Sequence, residues 1–211
     1  MKKFLLVVGV GCAVVFAAAM MFLLSMVGVY NGMVSKDQNA VAKWGQVENQ
    51  YQRRYDLIPN LVETVKGYAA HEKETLTAVA QARASVGQIK VDASQLPDKA
   101  KLEAFSAQQQ SLGTALSRLM MIQEKYPELK ADEGFRDMRA ELAGTENRIA
   151  VARMDFNNAV QNYNTTIKTF PNSLLAGVFN FTVKPYFEAE TNAKVAPKVS
   201  FSGNGTTTTN K

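Results

Sequence analysis

Residues 44–79 read WGQVENQYQRRYDLIPNLVETVKGYAAHEKETLTAV. Within them Trp44, Val47, Tyr51, Tyr55, Ile58, Val62, Val65, Ala69, Leu76 and Val79 recur at helical steps, which places them on one face of an α-helix. The pattern stays in phase on both sides of Pro59. Proline has no N–H to give the carbonyl of Tyr55, so the helix either kinks there or restarts with Asp56 as its N-cap. The unbroken phase favours the kink.

Downstream, GQIKVDASQLPD (87–98) gathers Gly, Pro and short polar residues and marks a connection. A second apolar stripe runs through Leu102, Phe105, Leu112, Leu116, Leu119 and Ile122, with Gln109 as its one polar step, and stops at Tyr126-Pro127. A third runs through Phe135, Met138, Leu142, Ile149, Ala152, Phe156, Tyr163 and Ile167 and closes at Phe170-Pro171. Long amphipathic helices joined by turns must bury their stripes against one another. The expected fold is therefore all-α: an N-terminal transmembrane helix, then an antiparallel up-and-down, coiled-coil-like bundle of three long helices with a short C-terminal helix or cap. The cap falls in SLLAGVFNFTVKPYFEAE (173–190), ahead of an extended APKVSF (196–201) and a polar tail at 202–211.

Upstream, no charged residue appears from Phe4 to Tyr30, long enough to cross a hydrocarbon core of roughly 30 Å as a tilted helix. Lys2, Lys3 and the run Ala17-Ala18-Ala19 suit a cleaved signal peptide, but Met20 to Tyr30 stays apolar, whereas a signal core ends at its cleavage site. The expected domains are a membrane helix at 4–30, a bundle at 31–201 and a disordered tail at 202–211, with the first body helix free to continue directly from the span at Asn31-Gly32. Gly9, Ala13 and Ala17, with Gly28 and Gly32, form small-residue ridges of the kind that pair membrane helices. Cys12, the only cysteine, lies inside the apolar run; this excludes an intrachain disulfide and a multi-cysteine metal site. Lys2 and Lys3 against the more distant Lys36 and Lys43 place the N-terminus in the cytoplasm and the body outside it.

The net charge of +5 is spread over interspersed signs and offers no basic, aromatic-laced patch for nucleic acid; a chain tethered beside a membrane would still meet anionic lipid. Arg53, Asp56, Asn60 and Glu63 form a polar ridge beside the first stripe, and Glu146, Arg153 and Asn157 a comparable one on the third helix. They suit a solvated face, a polar layer joining the two helices, or a partner surface. His71 is followed by Glu72, but HEKET lacks the second histidine of a zinc motif and no other histidine exists. Phosphate-cradling loops and nucleophile elbows are absent too. No cofactor is implied, and an enzyme would have to be a hydrolase working from acidic residues.

YNGMVSKDQNAVAKWGQVENQYQRRYDLIPNLVETVKGYAAHEKETL (30–76), ELAGTENRIAVARMDFNNAVQNYNTTIKTFPNSLLAGVFNF (141–181) and APKVSF resemble the LemA family of bacterial membrane proteins, and DLIPNLVETVKGYAAHE and GTENRIAVAR are its most specific portions. The resemblance implies one membrane helix, an α-helical bundle and no particular reaction. Arg53, Arg54, Asp56, Pro59, Asn60, Lys66, His71, Glu72, Asn147, Arg148 and Arg153 match family motif positions, while Tyr51 stands where the family often has an aliphatic residue. It also implies a short N-terminus outside the cell, so orientation stays open. The resulting expectation is a single-pass protein of the bacterial inner membrane, not an enzyme, acting as an interaction or scaffold module through its first and third helices. Membrane lipid and an unidentified protein are the expected partners. A self-associating protein that organises the membrane is the alternative.

Overall fold

The apolar run and the first body stripe form a single helix. In the computed structural model, which describes residues 2–87 and 96–188 with side chains from residue 11, α1 spans Lys2–Tyr68 without a break. Its 67 residues make it about 100 Å long. It passes through Asn31-Gly32, and the stretch from Gly11 onward is long and apolar enough to cross a membrane. The extended APKVSF, the tail and most of the 87–98 connection lie outside the described residues.

Among the described residues five more helices follow: α2 (Lys73–Val86), α3 (Lys99–Met121), α4 (Pro127–Ala131), α5 (Glu133–Lys168) and α6 (Asn172–Val178), with a 3₁₀ turn at Ile122–Glu124. No strand occurs among the described residues. Asp98 caps α3 by accepting from the Lys101 N–H at 2.8 Å, and this bond holds its carboxyl below the usual carboxylate range. Asp132 caps α5 through the Phe135 N–H at 2.7 Å and also accepts from the Tyr68 hydroxyl at 3.0 Å, which raises the Tyr68 phenol.

α1 and α5 form the antiparallel spine. Lys43 meets Asp155 at 3.0 Å, Arg54 meets Glu146 at 2.7 Å and Tyr68 meets Asp132, so numbers rise on one helix as they fall on the other. Three core layers stack along this axis. Nearest the apolar run lie Met33, Tyr163, Ile167 and Ala176. The middle layer surrounds Trp44, whose ring meets Phe105, Phe156 and Phe187 at centroid distances of 5.5, 5.5 and 5.8 Å. The distal layer holds Ile58, Leu61, Val65, Leu112, Leu119, Leu129 and Phe135.

The first body helix differs from expectation at its end. α1 stops at Tyr68, and Leu76 and Val79 sit on the separate helix α2, which folds back and still packs in the distal layer. Tyr68 lies opposite the start of α5, so a straight continuation would carry Leu76 and Val79 past any helix able to cover them. Turning at Ala69–Glu72, with the Glu72 N–H bonded to the Ala69 carbonyl at 3.0 Å, buries them instead.

Pro59 lies inside α1, so the helix does not restart there; Asp56 instead accepts from the Gln52 side chain at 2.7 Å. The Tyr55 carbonyl, denied a partner by Pro59, receives Nε of Arg83 from α2 at 3.4 Å, and the same guanidinium stacks 3.9 Å over the Tyr55 ring. The proline thus opens an acceptor that docks α2 onto α1.

Candidate functional site

From Ala40 onward the buried residues of α1 fall at Ala40, Trp44, Val47, Tyr51, Arg54, Ile58, Leu61 and Val65, alternating steps of four and three as in a heptad seam. Arg54 occupies one of those core positions and is 3% exposed. Its guanidinium donates to Glu146 on α5 at 2.7 Å and to both the side-chain and main-chain oxygens of Gln109 on α3, and it lies 5.0 Å from the Tyr51 ring. One side chain therefore ties all three long helices. Burial raises the Tyr51 phenol despite the pull of Arg153 and Arg54.

The remaining ridge residues are more exposed. Arg53 donates to Glu141 at 2.8 Å, and Arg148 reaches the same carboxylate at 3.0 Å, an open-faced network of small energetic weight. Asn60, Glu63 and Lys66 are exposed near Pro59, with Lys66 and Glu63 paired at 3.4 Å. Asn147 and Arg148 line a shallow depression between α1 and α5. His71 is exposed in the α1–α2 turn, and Glu72 accepts from Lys125 at 3.4 Å. No group of three or more His, Cys, Asp or Glu side chains is placed to hold a metal among the described residues.

Arg153 and Asn157 serve a different element from the one their spacing pointed to. After α6 the chain runs extended along α5 in the opposite direction. Asn157 donates to the Phe187 carbonyl at 3.0 Å and accepts from the Phe187 N–H at 2.9 Å. Asn164 does the same for Lys184, at 2.9 Å each way, and also donates to the Tyr186 hydroxyl at 3.1 Å. The two asparagines, seven residues apart on a helix, are about 10.5 Å apart along the axis; Lys184 and Phe187, three apart on an extended chain, are about 10 Å apart. That match lets a helix grip an extended strap by its backbone. Arg153 continues the grip, donating to the Glu188 carbonyl at 3.3 Å and lying 4.7 Å from the Phe187 ring.

Beyond Arg153 the groove continues past Glu188, the last described residue of the strap. A cleft of about 660 Å³ opens between α3 and α5, with Tyr51 and Arg54 of α1 among its lining residues. It shares Ser106, Gln110 and Arg153 with the strap-lined depression of about 470 Å³. α5 contributes Arg139, Glu146 and Arg153 at two-turn intervals, and α3 contributes Ser106, Gln109, Gln110, Thr114 and Ser117. Leu116, Met120, Leu142 and Ile149 give the cleft apolar walls; with Arg54 paired to Glu146, Arg139 and Arg153 leave its described charges net positive. Sequence spacing gave no signal for Arg139 or Asn164, because their role depends on the strap and on α3 standing opposite.

A model described as the LemA family matches residues 43–201. Magnetosome protein MamQ 2 of Paramagnetospirillum magneticum is 28% identical over 183 residues, covering 79% of this chain and 67% of its own. Magnetosome protein MamQ of Magnetospirillum gryphiswaldense is 29% identical over 182 residues with the same coverage. Protein LemA of Metamycoplasma hominis is 26% identical over 136 residues, covering 64% of this chain and 58% of its own.

Proposed function

The chain belongs to the LemA family, and we propose that it is a membrane-anchored, non-enzymatic bundle that docks an extended, acidic segment of a protein partner in the cleft between α3 and α5. One observation carries this reading. The groove already grips an extended segment by its backbone through Asn157, Asn164 and Arg153, and past the last described strap residue it runs on into a net-positive cleft. Main-chain hydrogen bonds give an extended segment affinity whatever its side chains, and complementary charge selects which segment docks. The apolar start of α1 supports the anchor, and the relatives named as magnetosome proteins suit a role at a membrane.

Affinity capture from detergent extract tests the docking surface. A partner bound by the native chain and by His71→Ala, but lost with Arg139→Glu or with Gly113→Trp, whose side chain would fill the cleft, supports it. Equal capture by all four chains contradicts it. The anchor is checked by alkaline carbonate washing, which should leave the chain in the membrane pellet with its N-terminus intact; mature protein starting near Met20 contradicts it. We place the body outside the cytoplasm. Since Cys12 lies in the apolar run, His71→Cys labelled by a membrane-impermeant maleimide on intact cells supports that side, and labelling only after lysis reverses it.

A further inference from the structure

Among the described residues, the end of the bundle next to the apolar run leaves an apolar surface uncovered. α6 packs one side, with Leu175 and Ala176, and the following Phe181, against Val29 and Met33 of α1 and Tyr163 and Ile167 of α5. Its other side and the turn before it expose Phe170 at 76%, Leu174 at 65%, Val178 at 74% and Phe179 at 48%. Large apolar side chains gathered on one short element mark a contact surface, and its height along α1 indicates what covers it.

Tyr30, where the apolar run gives way to Asn31-Gly32, packs edge-on against Phe179 at 4.9 Å and Phe181 at 5.8 Å. The run from residue 4 to residue 30 is about 40 Å long as a helix, against a hydrocarbon core of about 30 Å. Its last turns thus stand in the interfacial zone, where aromatic rings collect, and α6 stands beside them. Exposed Lys36 and Lys168 flank this level, and Lys184 is paired with Asp37 at 3.2 Å. The balance of charge there is positive, as expected next to anionic headgroups.

We infer that the α5–α6 turn and the outer side of α6 insert into the bilayer interface, so that lipid covers Phe170, Leu174, Val178 and Phe179 and holds the bundle at a fixed tilt to the membrane. The inference rests on the anchor reading of α1. It predicts a second, shallow membrane contact more than 130 residues further along the chain than the span.

Tryptophan quenching in the full-length chain tests it. Trp44 is fully buried and about 21 Å beyond Tyr30 along α1, so it supplies a constant background. Leu174→Trp, Phe22→Trp and Val151→Trp are each reconstituted into mixed phosphatidylcholine and phosphatidylglycerol vesicles, with bromine placed on the acyl chains near the headgroup or near the bilayer centre. The added emission of Leu174→Trp should shift to the blue and be quenched by the shallow bromines, that of Phe22→Trp should be quenched, and that of Val151→Trp should not. Quenching at 22 without quenching at 174 overturns the interfacial contact and leaves the anchor standing. A blue-shifted but unquenched Trp at 174 also overturns it, because protein and not lipid then covers the surface. No quenching at 22 overturns the anchor and the inference together.

Discussion

Asn157→Ala removes the strap's grip at one point while altering no core side chain. Asn157 makes two bonds to the Phe187 backbone, at 3.0 and 2.9 Å, and Phe187 is 5% exposed. Each neutral bond contributes about 0.5–1.5 kcal/mol, and a buried group left without a partner adds to the loss. Asn157 itself is only half-buried, so water recovers part of that, and the expected cost is about 2 kcal/mol. Asn164 is 3% exposed and makes three such bonds, so Asn164→Ala should cost about 3 kcal/mol. The double variant should cost less than the sum, because once the strap detaches its remaining contacts are already lost. Denaturant titration of the full chain in micelles gives the energies, and hydrogen exchange at the Phe187 and Lys184 amides locates them. Faster exchange at both amides, with the distal layer still protected, is expected. An unchanged midpoint with a protected Phe187 amide would refute the grip.

Further outcomes follow from the same contacts. Pro59→Ala restores the N–H bond to the Tyr55 carbonyl; proline inside a helix costs about 3 kcal/mol, here partly offset by Arg83, so a gain of about 1–2 kcal/mol is expected. In a denaturation cycle, Arg83→Ala should then cost about 1 kcal/mol with Pro59 in place and less in the Pro59→Ala background, and strict additivity would exclude the shared carbonyl. Glu146→Ala leaves the buried Arg54 cation with Gln109 alone and should cost about 2 kcal/mol, while Glu146→Gln, which keeps an acceptor, should cost less; equal melting of the two argues against a buried cation there. Burial, with Asp37 nearby, pushes the Tyr163 phenol up to about 12. Because the folded state holds this proton more tightly, its stabilising effect is complete below pH 10 and is lost as the pH rises towards about 12. Tyr163→Phe, which forfeits the bond to the Thr182 carbonyl, should be less stable at neutral pH but lose stability less steeply above about pH 10 in pH-resolved melts.

The three stripes were legible because each helix keeps one apolar face, and Trp44, Leu112, Phe135 and Phe156, all read on those stripes, are buried in the core. The end of α1 was not legible, since the phase of Leu76 and Val79 is the same for a continued helix and a folded-back one; only the start of α5 opposite Tyr68 decides between them. Arg54 was readable in principle. Choosing Leu61 over Val62 gives alternating steps of four and three that place Arg54 in the seam, but its charge pointed to the ridge. Asn164 carried no signal, because a helical asparagine gains a role only when an extended strand runs past it.

Photocrosslinking in native membranes tests the docking reading most directly. A benzoylphenylalanine at Gln110, exposed where the strap-lined groove meets the open cleft, should give one discrete adduct heavier than the 23.2 kDa chain. That adduct should vanish with Arg139→Glu and be absent when the probe stands at exposed Gln81 on α2. A ladder at multiples of the chain's own mass would show self-association instead. A faster-migrating monomer would show the chain's own C-terminal residues in the cleft. Either result, or equal adducts at both positions, would contradict a partner segment docking between α3 and α5.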